Sequence, residues 1–331
     1  MSSEKPLRIM ELPCVAIGEI LSFFDPVEII ESSKISRRFA SMAQFAGYVR
    51  SELTLDFRTG KIIIKSNGVT YELFVLETLG TRIRVHKIDQ IGRQRRYLNW
   101  DNSREEWMQF GFYISQLFNC QIKGFHTGHN AFSKENFQQI VGRIIRRQRE
   151  IQDLSLFLPQ LPDAELNYIL DNIRVNQDLF INIHRVPTLN YTFLYSPRII
   201  RIVNSGWFTS KNLQEVKDAV MIKLENSNLT NKSLDLYLKK WTAGNYMMLQ
   251  YLEVSGKNLD MTTPILHFHV PIEGIGREMN IRINDYNLTQ TNGLAIHRND
   301  GKEALIKFVQ DENSDFTFTM MLNRFSRGNS P

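Results

Sequence analysis

Leu12-Pro13-Cys14-Val15-Ala16-Ile17-Gly18-Glu19-Ile20-Leu21-Ser22-Phe23-Phe24-Asp25-Pro26-Val27-Glu28-Ile29-Ile30 decides how the N-terminal region folds. It reads as two short helices joined at Asp25-Pro26. Pro13 suits the first helical turn, where a missing N–H costs little. Ile17, Ile20, Leu21 and Phe24 stand three and four apart and form one apolar stripe. A residue before proline is pushed out of the helical region, so the first helix should end near Phe24. Asp25 then caps the second helix, Pro26 takes its first position, and Glu28 completes an Asp-x-x-Glu form of the capping box. A third helix is expected from Ser36, carrying Phe39, Met42, Ala43 and Ala46 inward. Three helices this short cannot bury all their apolar surface alone, so the rest of the chain or a partner must cover them.

Taken with Ser33-Lys34-Ile35-Ser36-Arg37-Arg38-Phe39, the run resembles an F-box, through Leu12-Pro13, Ile20-Leu21 and Asp25-Pro26. In that family the leucine–proline pair and the apolar positions behind it dock onto the Skp adaptor of a cullin-RING ubiquitin ligase. The resemblance implies that residues 6–50 bind a Skp-type adaptor and, through it, a cullin. Leu12, Pro13, Ile17, Ile20, Leu21 and Phe24 would supply the apolar contact, with Pro26, Ile29 and Ile30 positioning the second helix. One departure is Phe39, where many F-boxes carry tryptophan.

A chain of 331 residues is long enough for two domains. Its 42% hydrophobic and 23% charged residues place it among soluble globular proteins. Cys14 and Cys120 both sit in apolar surroundings and fit buried thiols of a reducing compartment better than a disulfide. Met1 to Lys5 lack the apolar core of a signal peptide, and no apolar run approaches bilayer length. A cytoplasmic or nuclear protein, not secreted and without a membrane partner, is therefore expected. The sequons at Asn190, Asn228, Asn231 and Asn287 are then chance matches, expected to be unmodified. A net charge of +5 bears on solubility and does not identify a partner.

After the helices the period changes to two. Lys61-Ile62-Ile63-Ile64-Lys65 and Val69 to Val75 flank Asn67-Gly68, a strong hairpin signal. With Arg82 to Ile88 alternating charge and apolar groups, residues 53–100 read as a small antiparallel β meander. From Ser103, which opens a capping box, strands and helices alternate. Helices are expected on the stripes Trp107/Phe110/Ile114/Leu117/Phe118, Phe137/Ile140/Val141/Ile144/Ile145 (capped at Ser133) and Leu166/Ile169/Leu170/Ile173. A further one, at 229–241, is capped near Thr230 and stopped at Gly244. Strands are expected at 121–125, 153–157, 179–183, 198–203, 220–224 and 249–254. Their spacing is that of leucine-rich-repeat units, which hide their apolar side only by stacking; an ordinary α/β domain is the other possibility. From Pro264 onward period two returns, with strands at 265–270, 279–283, 294–298, 304–309 and 316–320, a turn at Asn299-Asp300-Gly301 and a frayed tail from Arg324. The expected fold is therefore multidomain α+β: the three-helix F-box at 6–50, the meander at 53–100, a leucine-rich-repeat-like α/β region at 101–260 and a C-terminal antiparallel sheet at 264–323.

The later region carries its own resemblance. Asn204-Ser205-Gly206-Trp207-Phe208-Thr209, Leu213, Ile222-Lys223-Leu224, Leu229-Thr230-Asn231, Leu236 to Trp241 with Gly244, and Leu249-Gln250-Tyr251-Leu252 are similar to the type 2 F-box-associated domain. That domain follows an F-box in a large family expanded in nematodes, and the order of the two segments is the same here. The resemblance implies a substrate receptor, not an enzyme, that needs no cofactor and binds an unknown target protein. The target surface is expected on the repeat sheet and its loops, with Trp207, Phe208 and Tyr246 as exposed aromatic anchors and Arg146 and Arg147 attracting an acidic or phosphorylated target.

Other chemistry finds little support. His126-Thr127-Gly128-His129 and His267-Phe268-His269 lack the third and fourth ligands that zinc needs, although His267 and His269 would share one strand face. Gly274-Ile275-Gly276 is no phosphate loop, and no nucleophile pattern occurs, so no catalytic or metal site is expected. The basic residues Arg82, Arg84, Lys87, Arg93, Arg95 and Arg96 offer the alternative function, nucleic-acid binding through residues 82–96. A solvated strand face is the favoured account of them, because the aromatics that single-strand stacking requires are sparse.

Overall fold

The computed structural model describes residues 11–46, 51–76, 84–88, 93–99, 104–128, 134–158, 161–183, 189–274, 276–310 and 315–322. The caps expected at Ser103 and Ser133, Arg82, His129 and the tail 324–331 lie outside them. The chain divides into two compact units, Met1–Gln148 and Arg149–Pro331. The sequence pattern suggests four segments instead; the observed boundary falls inside 101–260, and 264–323 does not stand apart.

The first unit begins with α1 (Cys14–Ser22), α2 (Pro26–Ile35) and α3 (Arg37–Ala46). Asp25 caps α2 through the backbone N–H groups of Val27 and Glu28, while the Glu28 carboxylate accepts from the Asp25 N–H at 2.8 Å, so the expected capping box is present. Ile17, Leu21, Val27, Ile29, Ile30 and Ala43 are buried between the helices. Next come β1 (Glu52–Asp56), β2 (Lys61–Ser66), β3 (Val69–Leu76), β4 (Arg84–Ile88), β5 (Arg93–Asn99), α4 (Arg104–Leu117), β6 (Ile122–His126) and α5 (Lys134–Arg147). Within this unit the strands run β6-β1-β2-β3-β5-β4. The meander is antiparallel from β1 to β3 and again between β4 and β5, but β5 lies parallel to β3, and β6 parallel to β1. A parallel neighbour needs a crossover connection, which α4 supplies for β6. The same helix packs against α3. Its Tyr113 hydroxyl donates to Ser33 Oγ at 2.6 Å, and the Lys34 ammonium lies 4.6 Å from the Phe110 ring centre. Some of the cover the short helices require thus comes from the chain itself.

The second unit holds β7 (Glu150–Phe157), α6 (Asp163–Asn172), β8 (Arg174–Asn182), β9 (Ile199–Val203), α7 (Ser210–Glu215), β10 (Met221–Leu224), α8 (Asn231–Thr242) and β11 (Tyr251–Gly256). The strands β7, β8, β9, β10 and β11 are parallel and neighbours in chain order. They start at 150, 174, 199, 221 and 251, a spacing too irregular for a fixed repeat. One strand face turns Leu179, Ile181, Ile200, Ile202, Ile222, Leu224, Leu252 and Val254 inward with Leu166, Leu213, Leu234, Tyr237, Leu238 and Trp241 of the helices, and all are at most 1% exposed. Thr230 caps α8 as expected, and Gly244, at φ +98°, closes its C-terminal end in a conformation that a side chain would strain.

The chain then gives β12 (Glu278–Ile283), β13 (Tyr286–Thr291), β14 (Leu294–His297), β15 (Glu303–Gln310) and β16 (Phe316–Leu322). The C-terminal strands do not build a separate sheet. β16 runs antiparallel along the whole of β11, so β15 and β14 extend the parallel sheet, while β12 and β13 form a hairpin of their own. The strand expected at 265–270 is instead a tight turn. Leu266 and His267 take φ of +48° and +63°, Ile265 and Phe268 exchange backbone hydrogen bonds, and Asp235 of α8 accepts from the Leu266 N–H at 3.0 Å. Local turn closure, anchored by that carboxylate, overrides the strand preference of the side chains.

Candidate functional site

Two surfaces qualify, one in each unit. On the N-terminal helices the predicted adaptor residues divide. Ile17, Leu21, Pro26, Ile29 and Ile30 are buried and hold the helices together. Leu12, Ile20 and Phe24 are half-buried, and Pro13 is exposed. The most exposed apolar side chains are others: Val15 at 80%, Phe23 at 87% and Ile35 at 88%. Sequence reasoning misses them because they fall outside the helical stripe. That departure is itself the available signal, since a water-facing position in a short amphipathic helix is ordinarily polar.

The second surface is the sheet face of unit 2 turned away from its helices. Register lines up residues across the strands in rows. One row is apolar: Ile199, Met221, Tyr251, Met321 and Leu305. The β12–β13 hairpin covers it with Met279, Ile281 and Ile283. The adjacent row, Phe180, Arg201, Lys223, Glu253, Thr319 and Lys307, is half-exposed and mostly charged.

Three of the four charges in that row, Arg201, Lys223 and Glu253, are held by neighbours. The Arg201 guanidinium lies 4.5 Å from the ring centre of Phe180 and 4.7 Å from that of Tyr286, and contacts Asp178 at 3.4 Å. Asp178 also accepts from the Tyr286 hydroxyl at 3.0 Å. Lys223 reaches Glu253 at 3.1 Å and Glu225 at 3.4 Å. Burial lowers the pKa of the Lys223 ammonium, but these two carboxylates outweigh it and hold the group above its ordinary value. Burial chiefly, with the neighbouring charge of Asp178, pushes the Tyr286 phenol up. A surface of compensated charge flanked by aromatic rings suits recognition of another protein.

The aromatic anchors expected for the target are not on the surface. Phe208 is 0% exposed, and Trp207 and Tyr246 are buried. Trp207 and Phe208, just after β9, pack with Phe193 and Tyr191 in a chain of ring contacts at 4.9–6.4 Å; Tyr191 and Phe193 lie between β8 and β9, the one connection within the parallel run β7–β11 without a helix among its described residues. Rings there fill the space a helix would occupy. Tyr246 stacks on Tyr237 of α8 at 4.2 Å. Arg146 and Arg147 are exposed and belong to the other unit. Arg147 is engaged at home: its Nη2 donates to the carbonyls of Ser115 and Cys120, tying α5 to the end of α4. Arg84, Lys87, Arg93, Arg95 and Arg96 lie on β4 and β5.

Metal and thiol chemistry gain nothing from the geometry. Among the described residues no group of three or more His, Cys, Asp or Glu could hold a metal ion. His267 sits in the turn at positive φ, so it does not share a strand face with His269. Cys120 is buried, and burial pushes its thiol up to about 11. Among the described residues no helix is long and apolar enough to cross a membrane.

A family model described as F-box associated matches residues 182–254. The match runs from the end of β8 into β11, and so includes Arg201, Lys223, Glu225 and Glu253. No curated protein and no solved structure matches the chain.

Proposed function

We propose that the protein is a non-catalytic substrate receptor of a Skp–cullin–F-box ubiquitin ligase. Helices α1–α3 dock on a Skp-type adaptor, and through it a cullin, while unit 2 binds the target protein. The observation that supports this best is the order of the two segments: a capped three-helix unit with Leu12-Pro13 and Asp25-Pro26 precedes a segment matching an F-box-associated family. The burial pattern refines the docking residues to Leu12, Pro13, Val15, Phe23 and Ile35, with Ile17, Leu21, Pro26, Ile29 and Ile30 acting from beneath. The charged row at Arg201, Lys223 and Glu253 replaces Trp207, Phe208 and Tyr246 as the centre of the target surface.

Co-purification of the full chain with a Skp-type adaptor tests the reading. Truncating an apolar anchor in an interface costs on the order of 2 kcal/mol, about thirtyfold in affinity. Leu12→Ala/Pro13→Ala and Val15→Asp/Phe23→Asp should each abolish capture while circular dichroism and the unfolding midpoint stay unchanged. Undiminished capture by both folded double variants overturns the docking assignment.

A further inference from the structure

The β12–β13 hairpin stands apart from every other element of its unit. Its strands pair only with each other among the described residues, and a two-stranded hairpin is marginal alone. It is amphipathic: Met279, Ile281 and Ile283 face the sheet, while Glu278, Asn280 and Arg282 are exposed. Its polar ties to the sheet are few. The Tyr286 hydroxyl donates to Asp178 at 3.0 Å and its ring lies 4.7 Å from the Arg201 guanidinium, Gln290 Nε2 donates to the Leu305 carbonyl at 3.0 Å while Gln290 Oε1 is buried without a partner, and at the neck Arg277 reaches Glu303 of β15 at 3.4 Å. The hairpin leaves and rejoins the sheet at one narrow neck. There the Gly274 N–H donates to the Asn292 carbonyl at 2.8 Å and the Asn292 N–H to the Arg277 carbonyl at 2.8 Å. Gly276 and Asn292 take φ of +71° and +58°. At Gly274 a Cβ would run into the Gly293 backbone, so only glycine lets the two neck strands approach this closely.

From these features we infer that the hairpin is a displaceable cover, which swings away on its neck as one unit and bares the apolar row Ile199, Met221, Tyr251, Met321 and Leu305 beside the half-exposed charged row. A segment held by side-chain packing, a neck and a few side-chain polar contacts opens at a lower free energy than strands laddered on both sides. Opening turns a charged surface into one with an apolar strip along it, complementary to a protein segment that carries apolar side chains at alternate positions, as Met279, Ile281 and Ile283 do. That a target uses the strip rests on the receptor reading; that the cover opens does not.

Native-state hydrogen exchange on the full-length protein tests the opening, because it reads rare excursions amide by amide. The hydrogen-bonded amides of β12 and β13 should exchange together, at least tenfold faster than those of β11 and β16. Tyr286→Phe, which removes only the hydroxyl latch, should raise the hairpin's exchange at least threefold further and leave β11 and β16 unchanged. A difference below tenfold, or a Tyr286→Phe effect that is absent or shared with β11 and β16, overturns the inference. Adaptor capture plays no role in this measurement, so its failure and the failure of the receptor reading are separate results.

Discussion

The N-terminal helices and the sheet face of unit 2 reach their surfaces by opposite routes. In α1–α3 the middle of the apolar stripe, Ile17 and Leu21, is buried, and apolar side chains are left over on the outside, at Val15, Phe23 and Ile35. On the sheet the chain supplies its own cover for the apolar row, and charged groups remain. The first arrangement leaves a surface for something outside the described chain to cover; the second leaves one already at peace with water, which discriminates by charge placement. The two also differ in range. The faces of a short helix follow from residues three and four apart. The faces of the sheet follow from pairings such as β11 with β16, far apart in sequence.

The two regions differ most in which of their aromatics are structural. Phe208 is fully buried within 5.4 Å of Phe193, and Phe23 is 87% exposed. Phe208→Ala should cost about 3–5 kcal/mol, read from urea unfolding. Phe23→Ala should stay within about 0.5 kcal/mol. A silent Phe208→Ala would return the 204–209 loop to the surface and restore the target anchors first expected there.

That pair of residues also shows where the sequence is legible. Asp25-Pro26-x-Glu28 and Thr230 with Gly244 are readable because a cap needs only its own turn. So are the stripes of α4, α5 and α6. Trp207 and Phe208 mislead, since nothing in their neighbourhood says that Tyr191 and Phe193 pack against them in place of a helix. The turn at Leu266-His267 is hidden in a run of strand-forming residues, because its anchor, Asp235, lies about thirty positions back. β13 escapes notice because Asn287, Thr289 and Gln290 dilute its period. The cover it forms with β12, and therefore the charged row beside it, cannot be placed without the long-range register. The short helix α7 carries a readable signal, Thr209-x-x-Asn212, that the periodicity argument passes over.

Acid should act on unit 1 through Asp56, at the end of β1. Burial raises the pKa of its carboxyl, but the His126 imidazole 4.0 Å away and the hydrogen bonds from Thr59 outweigh that and bring it to about 2. The Thr59 hydroxyl donates to it at 2.8 Å, and the Arg58 and Thr59 N–H groups at 3.1 and 3.2 Å. A folded pKa below the unfolded value of about 4 gives stability that is present above pH 4 and lost as pH falls toward 2, up to about 2 kcal/mol. Asp56→Asn should flatten that stretch of the stability–pH curve of unit 1, measured by denaturant midpoints at pH 6, 4 and 3. An unchanged slope would show that the pairing contributes nothing.

Caps give a smaller and more even effect. Asp25→Ala and Thr230→Ala should each cost about 1 kcal/mol, one in each unit. Asp25→Ala should in addition weaken adaptor capture, because it loosens the join between α1 and α2, while Thr230→Ala should leave capture intact. Equal effects on capture would mean that the N-terminal helices are not where the adaptor docks.

The smallest effect belongs to the charged row, and its size bears on why the row is there. Lys223 and Glu253 sit 3.1 Å apart with 35% and 19% of their side chains exposed. A pair this accessible is screened by water and salt and contributes about 0.5 kcal/mol. A double-mutant cycle with Lys223→Met and Glu253→Gln should therefore give a coupling near that figure, shrinking in 0.5 M salt. Lys223→Met alone should be close to neutral for stability, because the methionine stem keeps the packing along β10 that the lysine stem provides. If stability does not hold these charges in place, the other use of a compensated row is recognition, where misplaced charge excludes wrong partners more strongly than matched charge attracts right ones. A coupling of about 2 kcal/mol or more, well above the range of exposed pairs, would reverse this conclusion: the row would then be a fastening of the sheet, and the target surface would have to be sought elsewhere on unit 2.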